Sequence, residues 1–260
     1  MSRKPTETAK QKAGAAREET RHEKWDRGEV DLATTMSHEP DTARFKQWLL
    51  GTAPIIVHAM SAKARLAMLE KQVGAVQMKQ PRDPHQDFED SLYEMGEGQY
   101  GFPVTAIKKA MISVAHVNKG ISKEDVLRHL RLRAEIVRVR AALAGAICDV
   151  PLIRIWGDRP QMREDPVRIG TGLRRTTTLA FRAEFPRWAM RIEGEFHSPP
   201  LRAHQLRYLF EHAGMSSGLG EWRNEKSGVF GSFRMATAEE AAAWDHFAEN
   251  GGDVPMSDAA

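Results

Sequence analysis

Residues 214–233 read GMSSGLGEWRNEKSGVFGSF and bring five glycines together with an adjacent Trp222 and Arg223. Glycine lets backbone amides come close to a phosphate. An indole offers a face for base stacking, and a guanidinium offers a planar fork for phosphate oxygens. Lys226 is followed by Ser227, but the spacing is neither that of a P-loop nor that of a dinucleotide fingerprint. A competing reading is a mobile hairpin with Trp222 packed on the core. A second candidate group is Arg163, Arg168, Arg174, Arg175 and Arg182, followed or interleaved by Thr176, Thr177 and Thr178. Arginine suits bidentate phosphate contact. Here the competing reading is a solvated face balanced by Glu164, Asp165 and Glu184. Lys108 and Lys109 are weaker candidates for backbone contact. His58 and His197 are weak candidates for metal-free acid–base chemistry, although a structural role is commoner for each. No cysteine or carboxylate completes a metal set around any histidine, so neither metal nor cofactor is expected. The nucleophile-elbow, zincin and C-x-x-C patterns are absent.

Charge distribution points the same way. The net charge of +3 says little, but residues 128–191 hold fourteen arginines, no lysine and six acids. Residues 1–40 carry eight bases and eight acids, and residues 236–260 carry six acids and no base. A basic middle between a neutral and an acidic end suits a polyanionic partner. The single cysteine, Cys148, excludes an internal disulfide and fits a reducing compartment. No apolar run is long enough to cross a membrane, and the charged N-terminus lacks the apolar core of a signal peptide. Cytoplasmic location is therefore expected.

The elements that must position these groups follow from periodicity. Residues 1–40 lack apolar periodicity and read as a disordered charged tail. Residues 41–236 read as one domain, and residues 237–260 as an acidic tail with a short helix. Residues 54–60 form a core strand after an extended approach. Ser61 caps a helix carrying Ala62, Leu66 and Leu69, and residues 85–93 form a short helix. Residues 104–119 form the clearest helix, with a stripe of Ala106, Ala110, Val114 and Val117, flanked by Ile107 and Met111. Ser122 and Asp125 form a capping box. Strands follow around 136–139, 150–155, 176–184 and 189–196, with a polar loop before residue 176. A helix capped by Ser198 and stopped by Gly214 precedes a last strand near residue 233. Mixed order without strict β-α alternation predicts an α+β fold. Its sheet is mostly antiparallel, of the RRM or ferredoxin-like split βαβ type.

Four blocks carry a resemblance: GTAPIIVHAMSAKA, YGFPVTAIKKAMISVAH, the segment from REDPVRIGTG to AEFPRW, and HAGMSSGLGEWRNEKSGVFGSF. They resemble an uncharacterised phage and prophage protein family over about residues 48–234. The chain departs from that pattern at Ala59, where a basic residue is common, and at Asn224, where proline is common. The layout is also similar to the RAMP superfamily, the RRM-like backbone subunits of CRISPR effector complexes. The resemblance implies an RRM-like core that binds single-stranded RNA or DNA, in a host cell, as a homo-oligomer coating the strand.

The leading expectation is thus a non-enzymatic single-stranded nucleic-acid-binding protein. Arg163, Arg168, Arg174 and Arg175 would take phosphates, and Trp222 and Arg223 would stack or clamp. One alternative is a phage structural or assembly protein that binds no nucleic acid. Another is a RAMP-like metal-independent endoribonuclease using His58 or His197.

Overall fold

The structure is a computed structural model that describes residues 41–74, 82–117, 120–170, 176–198, 200–251 and 253–255. The expected charged tail, Arg174 and Arg175 lie outside the described residues. The chain divides into Met1–Asp41 and Thr42–Ala260, and the second unit carries the fold.

The main sheet is built on β1 (Asp41–Gly51), β7 (Asp149–Gly157), β10 (Trp188–Ser198) and β11 (Phe233–Met235). Two helices connect them: α3 (Val104–Val114) lies between β1 and β7, and α5 (Ala203–His212) between β10 and β11. Their order across the sheet is β11-β1-β10-β7. This is β-α-β-β-α-β connectivity with the fourth strand beside the first and the third beside the second, the split βαβ arrangement. Pairing is antiparallel between β1 and β11, and between β10 and β7. The sheet extends past β7 through β4 (Gln99–Pro103) to β3 (Glu94–Gly96). β5 (Leu130–Leu132) pairs with β10, and β6 (Glu135–Arg138) pairs with β7, each beyond the point where those two strands part.

A second sheet has the order β2 (Ile55–Val57), β9 (Thr176–Phe185), β8 (Gln161–Ile169). The extended segment expected after Arg44 is therefore two strands in two different sheets. Gly51 marks the break, because the Trp188 indole occupies the space a Cβ would need there. The polar loop expected before residue 176 is instead β8, paired with β9 from Gln161↔Glu184 to Ile169↔Thr176. Its charges and Pro166 hide it from periodicity, and proline is tolerated because β8 is an edge strand.

The sheet's two faces hold separate cores, as alternating strand residues require. On one face Leu49, Met190 and Ile192 pack with Ile107 and Met111 of α3 and Leu209 and Phe210 of α5. The buried side of α3 is Val104, Ile107, Ala110, Met111 and Val114. The expected stripe is thus rotated: Ala106 is half-buried and Val117 is exposed. Turning Ile107 and Met111 inward removes more apolar area from water than turning alanine inward. On the other face Trp48, Leu50 and Ala189 are covered by α6 (Ala238–Asn250), with Trp244 only 3% exposed. Thr237 and Glu240 cap that helix reciprocally. Asp245 accepts from Trp48 Nε1 at 3.0 Å and from Lys46 Nζ at 3.1 Å. The helix expected in the acidic C-terminal stretch is thus present and packs on the sheet.

Three further helices lie among the described residues: α1 (Ala62–Gln72), α2 (Pro84–Asp90) and α4 (Lys123–His129). Ser61 caps α1 as expected, and Ser122 with Asp125 forms the expected capping box on α4. α5 starts at Ala203, later than expected, because β10 runs on through Ser198. Gly214 does not stop α5. The chain continues through a π turn, Ala213–Ser217, which seats Gly214 against the Phe233 carbonyl.

Candidate nucleic-acid interface

The glycine-rich segment leaves α5 through the π turn, folds back through a short 3-10 turn at Asn224–Lys226, and enters β11. Backbone bonds tie it down on both sides. Gly231 donates to Pro54 at 2.8 Å, Glu221 donates to Ile56 at 3.0 Å, and Leu219 donates to Gly231 at 2.9 Å. A Cβ on Gly228 would collide with the Trp222 carbonyl, and one on Gly231 with the Leu219 carbonyl. The amides of Gly218, Gly228 and Gly231 all donate to carbonyls of this chain. The glycines therefore serve close packing of the segment on itself and on β2. This corrects the reading of a pliable loop whose amides cradle phosphate.

What the segment presents is Trp222. Its backbone is left-handed, with φ of +52°, and the residue is 42% exposed. A bulky residue in that region is a strained outlier that its surroundings must hold in place. Here the hold comes from Gly228 packed under the Trp222 carbonyl and from Phe230 N–H donating to it at 3.2 Å. The alternative of an indole packed on the core is not what the fold adopts.

Arg223 follows with its guanidinium engaged locally. Nε and Nη2 donate to Glu225 at 3.0 and 2.8 Å, and Nη1 donates to the Gly220 carbonyl at 3.1 Å. Across a cleft of about 240 Å³ lies the exposed Lys109 of α3. Of the expected contact residues, these two are brought to one cleft. Lys108, one step round α3, faces elsewhere. Its ammonium donates to the Leu127 and Leu130 carbonyls at 2.9 and 2.6 Å and so closes the end of α4. Burial there pushes its pKa down.

The arginines of the second sheet divide. Arg163 is committed: Nε donates to Asp165 at 2.9 Å and Nη1 to Glu184 at 2.6 Å, with the guanidinium 4.5 Å from the Phe230 ring centre. This corrects its assignment as a free phosphate contact, since it braces the sheet against the glycine segment. Arg168 is exposed on β8, near the hairpin end. Arg182 stands directly opposite Arg163 in register. It is 9% exposed, and its Nε and Nη1 have no hydrogen-bond partner among the described residues.

His58, just beyond β2, lies 3.7 Å from Glu221 through Nδ1. Beside His58, and with Arg182 and Arg223 further off, the Glu221 carboxyl is held below its usual range, although burial pushes it up. His197 belongs to a different place. It lies in β10, 3.1 Å from the Thr42 hydroxyl and edge-on to His129 at 6.0 Å. The two histidines share no contact among those described. Among the described residues, no three His, Cys, Asp or Glu side chains converge as a metal set would.

Sequence reasoning missed Glu221 and the depth of Arg182. Neither has a local signal, because Glu221 is set against β2 by its amide's bond to Ile56 and Arg182 lies in β9 opposite Arg163 of β8. No family model matches the chain, and a search of curated proteins gives no match. The resemblance to the phage family and to the RAMP layout thus rests on the four sequence blocks alone.

Proposed function

We propose that this protein binds single-stranded nucleic acid on the helical side of its sheet and coats the strand as an oligomer. Trp222 carries the reading: a large aromatic face, held at strained backbone and left exposed, next in the chain to Arg223, which shares a cleft with Lys109. Base stacking on such a face is tolerant of sequence. The split βαβ sheet is consistent with this class, but the mode differs from the one used by RRM domains, where bases stack on aromatics of the open sheet face. Here that face is closed by α6 over Trp48. The ligand therefore lies where α3 and the glycine segment meet.

The test is a titration with labelled single- and double-stranded DNA and RNA at two salt concentrations. Single strands bind more tightly, and binding weakens with salt. Trp222→Ala costs about 1–3 kcal/mol, or about 5- to 150-fold in affinity. An unchanged affinity in that variant sinks the proposal. Salt-insensitive absence of binding, together with a discrete oligomer, favours the assembly-protein alternative. The contact of His58 with Glu221 favours a second reading, metal-independent RNA cleavage. It requires cleavage products in chelator that disappear in His58→Ala.

A further inference from the structure

Helix α3 separates two clefts. The one already described meets the helix at Ala106, Lys109 and Ala110. The other, about 340 Å³, meets it at Val104, Thr105 and Lys108, and its far wall carries Arg128 and Arg131. Successive helix residues turn by about 100°, so Lys108 and Lys109 stand on opposite flanks of one exposed ridge. The second cleft is lined by no acid and by three basic side chains, of which Lys108 is tied to the Leu127 and Leu130 carbonyls and Arg128 and Arg131 reach solvent. Arg131 is 83% exposed at its side chain, with the Glu195 carboxylate 3.6 Å away. A surface pair of that length contributes little, so a phosphate displaces it at small cost. Arg128 is exposed in the last turn of α4.

We infer that a single strand stacked on Trp222 continues over the ridge of α3 and places its backbone in the second cleft, on Arg128 and Arg131. The inference rests on the proposed single-strand binding and extends it to a defined path. Both clefts open beside one helix, the first with Lys109 exposed beside the Arg223–Glu225 pair and the second with Arg128 and Arg131, so basic side chains stand on both sides of the ridge that this track crosses. A helix with side chains is about 10–12 Å across. That is about three nucleotides at the 3.4 Å duplex rise, and fewer in an extended strand.

The test uses the full chain and a labelled twelve-nucleotide single strand over a potassium chloride series. R128A/R131A is compared with wild type, with W222A, and with R159A/R187A. The last variant removes the same charge in the β7–β8 and β9–β10 turns. The expected result is that R128A/R131A weakens binding and flattens the log–log salt slope by about 1.4, at about 0.7 per phosphate on single strands. R159A/R187A leaves that slope unchanged. If R128A/R131A matches wild type while W222A weakens binding, the track is overturned and the single-strand reading stands. If both double variants flatten the slope equally, the effect is one of net charge and the track is likewise overturned. If W222A also matches wild type, the single-strand reading falls, and the track falls with it.

Discussion

Two glycine-to-alanine substitutions in the segment that presents Trp222, set against a third in the β3–β4 turn, separate packing from backbone conformation. Gly98 has φ of +72° and open space where a Cβ would go. Gly228 lacks a left-handed φ, but its Cβ would meet the Trp222 carbonyl. Gly231 combines φ of +69° with a collision against the Leu219 carbonyl. A left-handed alanine costs about 1–2 kcal/mol, offset by about 0.4–1 kcal/mol of unfolded-chain entropy. Gly98→Ala therefore destabilises by about 1 kcal/mol. Forced overpacking costs about 1–3 kcal/mol, and more where backbone must move, so Gly228→Ala costs about 3 kcal/mol. Gly231→Ala suffers both and loses about 3–5 kcal/mol. For a domain of this size each kcal/mol moves the melting temperature by about 2–4 °C, so Gly231→Ala falls by about 6–20 °C and Gly98→Ala by a few degrees. Urea and thermal unfolding followed by circular dichroism measure all three. A Gly231→Ala melting temperature no lower than that of Gly98→Ala refutes the close packing and returns the segment to a pliable loop.

Two further predictions concern charge. Arg182→Met removes a buried guanidinium whose Nε and Nη1 are unpartnered among the described residues, and it relieves the like charge of Arg163 opposite. It raises stability by about 1–3 kcal/mol, read as a higher melting temperature; a lower one shows that the buried donors are satisfied. Glu240 is held from its ordinary 4.5 down to about 2, chiefly by its hydrogen bond with Arg234, with the Thr237 amide helping. A depressed carboxyl contributes stability that is complete above about 4.5 and is lost as pH falls toward 2. Wild type therefore loses melting temperature between pH 5 and pH 2.5 by more than Glu240→Gln does, and equal losses refute the assignment.

The α+β class, the split βαβ order and the helix caps at Ser61 and Ser122 were legible because they rest on local periodicity and capping chemistry; the cap expected at Ser198 was not, because β10 runs through that residue. What was illegible depends on pairing between distant segments. β8 reads as a polar loop because Arg163, Glu164, Asp165 and Pro166 break any alternation, and only its bonds to β9 make it a strand. Arg163 looks like a phosphate ligand until Glu184, twenty-one residues on, is placed beside it. The glycines of residues 214–233 were read as freedom. Their role is the opposite, since residues without side chains permit the closest contact between backbones. Trp222, like Lys109 and Arg168, was legible as a presented group, for composition marked it and the fold left it outside.

The hold on Trp222 has a kinetic consequence. For a ligand of the proposed kind, the protein side is already in its bound form, so only the arriving chain loses conformational freedom. Ionic strength then acts chiefly on the rate of arrival, through steering by the basic ridge, while truncating the indole acts chiefly on the rate of departure.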